Sequence, residues 1–266
     1  MYSFEYVKPR SLKEVSAFLK ANPEARPLAG GMTLIPTLKA RLAQPTHLVD
    51  LAALEELRGI EVQGSTLTIG AGTRHNDVMR SEHVRQAIPA LAELAGRIGD
   101  PAVRNLGTLG GSVANNDPAA DYPAAVLALG AKIVTDRREI AADDYFQGMF
   151  STALDAGELI VRIVFPVPRR AAYEKFAHPA SGYAMTGVFV AETANGVRVA
   201  VTGAGPGVFR WKEAEAALAK KIAADAVSGL RMAPDDLNED IHGSREYRAN
   251  LVNVLTKRAV ARIAGR

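Results

Sequence analysis

Apolar and polar positions change their period many times along this chain, which predicts many short elements rather than a few long ones. Phe4 to Val7 reads as a strand. Ser11-Leu12-Lys13-Glu14 is a capping box opening a helix through Lys20, with Leu12, Val15, Phe18 and Leu19 on its buried face. A strand from Arg26 to Ala29, a helix from Leu34 to Leu42 and a strand from Thr46 to Asp50 complete a βαβαβ pattern. That pattern implies a small, mainly parallel unit.

A second unit follows, with strands Ile60–Val62 and Leu67–Gly70 joined at Gln63-Gly64-Ser65. Thr73 is placed to cap a helix through Met79, and Gln86 to Ile98 reads as another helix, stopped by Gly99 and Pro101. Tyr122 to Leu129 carries Pro123 in its first turn and Gly130 as a left-handed stop. Strands Lys132–Thr135 and Leu159–Phe165 flank the Asp143–Met149 segment, and Pro166 to Arg170 reads as a linker. Strands Tyr173–Ala177, Met185–Thr193 and Val197–Gly203 come next, with a hairpin at Asn195-Gly196. Helices Lys212–Lys220 and Arg245–Ile263 close the chain. The expected units are 1–57, 58–168 and 169–266.

Composition removes several function classes. The net charge of +3 is spread over 266 residues without a basic block, so nucleic acid is not an expected partner. Cysteine is absent, which excludes a thiolate nucleophile and a cysteine-held iron–sulfur cluster on this chain. No apolar run reaches the ~18 residues of a membrane span, and Met1-Tyr2-Ser3-Phe4 does not open a signal peptide, so a cytoplasmic location is expected. His47, His75, His83, His178 and His242 lack ligand spacing, and no metal site is predicted. Asp143-Asp144 and Asp235-Asp236 sit in turn or cap contexts, so no catalytic acid or base is predicted either.

Two glycine pairs carry the chemistry. In the stretch from Arg104 to Pro123, Gly107, Gly110 and Gly111 precede the polar run Asn115-Asn116-Asp117. Adjacent glycines add no apolar area and cost backbone entropy, so they are kept where backbone turns sharply or is touched closely. Pro27 to Pro36 repeats the arrangement with Gly30 and Gly31, a hydroxyl at Thr33 and a proline in the next first turn. Two such turns suit a diphosphate bound by amides and hydroxyls, while a plain strand-to-helix loop is the alternative for the second. Neither contains lysine, so neither is a P-loop. Gly203-Ala204-Gly205-Pro206-Gly207-Val208 lacks the last glycine of a Rossmann fingerprint.

Ala29-Gly30-Gly31-Met32-Thr33, Thr108-Leu109-Gly110-Gly111 and Ala114-Asn115-Asn116-Asp117-Pro118-Ala119-Ala120-Asp121-Tyr122-Pro123 occur in this order. Tyr173 to Phe176 and Val201 to Gly205 follow them. Together they resemble the FAD-binding (medium) subunit of molybdenum-containing hydroxylases, the group of aerobic carbon monoxide dehydrogenase and xanthine dehydrogenase. The resemblance implies an α+β fold of the PCMH-type (vanillyl-alcohol-oxidase-like) kind, with two FAD-binding subdomains and a C-terminal sheet-and-helix domain. It implies FAD on this chain, with molybdopterin on a large partner subunit and 2Fe-2S clusters on a small one, in a dimer of heterotrimers. Electrons would pass from the clusters to FAD and on to an external acceptor.

The same resemblance implies site residues. Ala29, Gly30, Gly31, Met32 and Thr33 would line the diphosphate and ribityl with Thr108, Gly110 and Gly111. Asn115 and Asp121 would add polar contacts, or Asp121 would serve only as a helix cap. Tyr183, in the loop Ser181-Gly182-Tyr183, would stack on the isoalloxazine or sit at a strand edge. Lys175 would lend positive charge to the reduced ring or form a surface ion pair with Glu174 or Glu192. Met32 stands where many relatives carry histidine or another polar residue, leaving contacts there to the amides and Thr33. Two further readings are a self-sufficient flavin oxidoreductase like UDP-N-acetylenolpyruvoylglucosamine reductase, which needs a substrate-protonating group not found here, and a non-redox nucleotide-binding scaffold.

Overall fold

The computed structural model describes residues 1–265. Three short strands, β1 (Glu5–Val7), β2 (Arg26–Leu28) and β3 (His47–Asp50), form a parallel sheet in the order β1-β3-β2. Helices α1 (Leu12–Ala21) and α2 (Leu34–Lys39) make its crossovers. Ser11 caps α1 by accepting the Glu14 amide, but the Glu14 carboxylate closes the box one residue early, on the Arg10 amide.

The second sheet is antiparallel, in the order β4-β5-β10-β6-β7, from β4 (Ile60–Gln63), β5 (Thr66–Gly70), β6 (Lys132–Thr135), β7 (Glu139–Ala141) and the later β10 (Ile160–Pro166). Between β5 and β6 lie α3 (His75–Arg80), α4 (Glu82–Ala87), α5 (Pro89–Gly96), α6 (Pro101–Leu106), α7 (Leu109–Asn115) and α8 (Tyr122–Ala128). A single turn α9 (Ala142–Tyr145) and the hairpin β8 (Phe146–Gly148) with β9 (Ser151–Thr152) precede β10.

Several expectations are corrected here. The single helix expected over Gln86–Ile98 is two, because Pro89 lacks an N–H and restarts the helix as an N-terminal residue. Thr73 does not cap α3; Arg74 occupies that position, and the Thr73 hydroxyl bonds Gly59 O instead. The second glycine stretch is helical over α7 rather than an open turn, and α6, capped by Asp100, was not anticipated.

The third sheet, β11 (Arg170–Ala177), β12 (Ala184–Thr193), β13 (Gly196–Thr202) and β14 (Phe209–Arg210), is an antiparallel meander. Strand β12 is buried on both faces. Phe189 and Ala191 join the core built by the first two sheets, while Val188 and Val190 pack against α10 (Lys212–Lys220) and α11 (Arg245–Ala264). Helix α8, apolar all round as Tyr-Pro-Ala-Ala-Val-Leu-Ala, is sandwiched there with every residue buried. The loop before it is clamped from the third sheet, since Thr202 Oγ1 donates toward Pro118 O and Ala120 O, and the Gly203 amide to Pro118 O. Among the described residues no helix is long and apolar enough to cross a membrane.

Candidate functional site

A cleft of about 650 Å³ runs between the three sheets. Both glycine turns line it, as do Asn115, Asp117 and Asp121 from the α7–α8 region and Ser181 and Tyr183 from the loop before β12. All of Ala29, Gly30, Gly31, Met32 and Thr33, with Thr108, Gly110 and Gly111, fall on this one surface. Lys175 alone among the expected site residues does not.

The two turns are not equivalent. In the first, Gly31 has φ +71°, a conformation that favours glycine, and the amides of Gly30, Gly31, Met32 and Thr33 donate to no acceptor among the described residues. Thr33 stands at the head of α2 with helical backbone and makes no side-chain cap. In the second turn the amides are consumed: Leu109 donates to Thr73 O, Gly110 to Ala71 O and Gly111 to the capping hydroxyl of Thr108. A row of unspent peptide donors therefore exists only on the first turn, and it faces the cleft. Row and cleft together form a concavity suited to anionic oxygens.

The glycines also divide their tasks. A Cβ on Gly30 would run into Leu106 O and the Gly107 backbone, and one on Gly110 would collide with the Ala71 Cβ and meet Ala71 O at 2.8 Å. Gly30 is glycine because backbone meets backbone where the first unit joins the second, and Gly110 because α7 packs onto the end of β5 within the second unit. Gly111 has more room, with Thr108 Oγ1 at 2.8 Å and Ala29 Cβ at 3.8 Å across the cleft.

Asp121 is neither a cap nor an exposed polar contact. It precedes α8 with helical backbone and caps nothing; its carboxylate is 4% exposed and accepts from Tyr173 Oη at 2.5 Å and Lys175 Nζ at 2.9 Å. Burial pushes this carboxyl up from its usual range, against the opposing pull of Lys175 and the Tyr173 hydroxyl. Lys175, 1% exposed in its side chain, also donates to Arg97 O at 2.9 Å. The surface pair with Glu174 or Glu192 does not form, because Glu174 is taken by Arg262 and Glu192 by Arg170. Lys175 thus stands behind Asp121, one residue removed from the cleft.

Tyr183 is 44% exposed at the rim, and burial, Asp117 and Asp121 together raise its hydroxyl pKa. Asn115 ends α7 on the cleft side. Its neighbour Asn116 turns away in the left-handed region, φ 45°, and its amide nitrogen donates to Gly148 O and Ser151 O, bracing the β8–β9 hairpin.

Arg74 and His75 also line the cleft, though the glycine pattern gives no mark of either. Arg74 pairs its backbone with Thr108 across an antiparallel bridge and lines the cleft. His75 lies beneath the second turn, its amide donating to Gly107 O, and burial with the nearby Arg104 charge lowers its pKa to about 4. Its Nδ1 is buried without a partner. A Cβ on Gly107 would meet His75 Nε2 at 2.6 Å, which explains that glycine. Nothing in the spacing of His75 marks it, since its partner Gly107 lies 32 residues further on.

Residues 2–168 match a family model described as the FAD binding domain in molybdopterin dehydrogenase, and residues 169–263 one described as the CO dehydrogenase flavoprotein C-terminal domain. The chain is 36% identical to the carbon monoxide dehydrogenase medium chain of Hydrogenophaga pseudoflava, over 97% of this chain and 96% of that one. It is 35% identical to the glyceraldehyde dehydrogenase medium chain of Sulfolobus acidocaldarius, over 98% of each. Reconstituted CO dehydrogenase from Oligotropha carboxidovorans superimposes with a TM-score of 0.92 at 34% identity, covering 100% of this chain and 99% of that chain.

Proposed function

The chain belongs to the family of FAD-binding medium chains of molybdopterin dehydrogenases, and from that premise we propose that it relays electrons from 2Fe-2S clusters on a small partner subunit through FAD to an external acceptor. The single observation that carries the proposal is the row of free amides at Gly30–Thr33 opening into a cleft shared by all three sheets. A volume of about 650 Å³ falls within the range of sites that hold cofactor-sized ligands. The residues present fit FAD: a concave, partly apolar wall, anion-binding amides at one turn and an aromatic rim at Tyr183.

Bound FAD supplies a centre that takes up electrons one at a time and releases them singly or in pairs. The amides of Gly30, Gly31, Met32 and Thr33 hold the diphosphate. Gly111, Thr108 and Ala29 set the width of the passage for the ribityl. Asp121, oriented by Tyr173 and Lys175, offers a fixed acceptor to a hydroxyl or ring N–H. Lys175 balances the charge of Asp121 from behind, so the buried pair leaves the cleft floor close to neutral. Asn115 contributes an amide along the wall, and Tyr183 covers the open end. The division into 1–57, 58–168 and 169–266 belongs to this reading and is supported by the three separate sheets whose seams form the cleft.

The partners in this reading are a large molybdopterin subunit and a small 2Fe-2S subunit, working in the cytoplasm as a dimer of heterotrimers. Support comes from the medium-chain names of the relatives and from the absence of cysteine in this chain, which leaves a cysteine-held cluster to another polypeptide. Those relatives are named for different substrates on the same type of chain, as expected if substrate choice lies on the large subunit.

Co-expression of the three subunits tests the relay. The purified assembly should show a flavin spectrum that bleaches when substrate is added without acceptor, and omission of the small subunit should prevent bleaching while FAD stays bound. Bleaching at an unchanged rate without the small subunit would refute the relay.

A further inference from the structure

The loop from His178 to Tyr183 forms one rim of the cleft, and it is organised around a single imidazole. His178 Nδ1 accepts the amides of Ala180 at 3.2 Å and Ser181 at 3.3 Å. Its own amide donates to Tyr183 O at 2.7 Å, and its carbonyl accepts the Gly182 amide at 2.9 Å. A ring nitrogen that accepts two N–H groups carries no proton, so the ring hydrogen sits on Nε2. That atom lies 3.3 Å from His242 Nδ1, and the two rings pack edge to face with centroids 4.4 Å apart. His242 is fixed in turn by Asp240, which accepts its amide at 2.9 Å.

We propose that His178 is a positioning residue of the cleft: as the neutral Nε2–H tautomer, locked by His242, it shapes the 178–183 loop and holds Tyr183 and Ser181 at the mouth. Its Nδ1 is the acceptor of two loop amides at once, so loss of the ring frees both. Asp240 is shared with Arg248 at 2.7 Å, so its charge is already partnered. The proposal rests on the flavin reading only for what Tyr183 does to a bound cofactor; the response of the loop itself does not depend on it.

Amide hydrogen exchange on the full chain, with and without FAD, tests this at neutral pH. After correction for intrinsic chemical rates, protection at Ala180 and Ser181 should fall on the order of tenfold in H178A, the loss expected when such hydrogen bonds open. H178N should keep it, because the asparagine carbonyl accepts the same amides in an Asx turn. In the loaded chain, flavin fluorescence should change in H178A and match the native protein in H178N. Full protection in H178A, or loss of protection in H178N, would overturn the positioning role. If FAD failed to bind while the exchange behaved as stated, the flavin reading alone would fall.

Discussion

Replacing Lys175 with Met isolates the ammonium group beneath the cleft. Methionine keeps most of the stem's apolar volume, so the change is close to a deletion of charge. The side chains of Asp121 and Lys175 are 4% and 1% exposed, which leaves water unable to compensate. Asp121 would then retain one bond, from Tyr173. Removing one partner of a buried pair costs about 3–5 kcal/mol. The surviving phenol bond and the option of protonation place Lys175→Met at the low end, about 3 kcal/mol at neutral pH. At roughly 2–4 °C per kcal/mol for a chain of this size, the melting temperature should fall by about 6–12 °C.

The pH dependence has a definite sign. Burial already raises the Asp121 pKa, and loss of Lys175 raises it further. Below the unfolded value of about 3.9 the carboxyl is protonated in both states and the penalty vanishes; it grows as pH rises through the higher folded value. The variant should therefore be less destabilised in acid than at neutrality. Urea unfolding followed by the buried Trp211, the chain's one tryptophan, measures both. The double variant Asp121→Asn with Lys175→Met should recover part of the loss. A cost below about 1 kcal/mol, or one that increases in acid, would mean that the pair does not hold this region together.

The glycines separate folding from binding: Gly110→Ala should cost about 1–3 kcal/mol by forcing Ala71 aside, seen as a lower melting temperature. Gly111→Ala should leave the melting temperature nearly unchanged, helix propensity offsetting the contact with Thr108, yet weaken FAD binding in a fluorescence titration because the new methyl faces Ala29. His75 is neutral in the folded chain down to about pH 4, so the stability linked to it is complete above its unfolded value of about 6.5 and is lost as pH falls toward 4. His75→Gln should flatten that acid limb in urea midpoints measured across the range. Asn116→Ala should cost about 2–4 kcal/mol in the same assay, from two carbonyl partners lost and a left-handed backbone that alanine resists.

Local signals carried the elements that local physics decides. Ser11 caps its helix with its side chain as its sequence position suggests, and the turn at Asn195-Gly196 joins β12 to β13 in register. Both glycine pairs were recognisable as close-approach backbone, and the structure brings them to one cleft. What each glycine approaches was not recognisable, because Gly30 meets Leu106 only once the first two units are assembled, and Gly110 meets Ala71 only once α7 folds back onto β5. Asp121 shows the limit most plainly. Its position before Tyr122-Pro123 has every local mark of a cap, and the tertiary partners Tyr173 and Lys175, more than fifty residues away, override it. The same holds for Lys175, whose strand neighbours Glu174 and Phe176 alternate outward while its own side chain turns into the core.

The contact of Gly30 with the Leu106–Gly107 peptide has a consequence for how this scaffold can vary. Where two elements touch through side chains, a methylene more or less changes their spacing by a fraction of an ångström. Here the spacer is main chain on main chain, common to every sequence that keeps glycine at that point. The aperture of the cleft is then a fixed gauge, and drift in the surrounding core can raise or lower thermal endurance without changing the calibre of the molecule that fits.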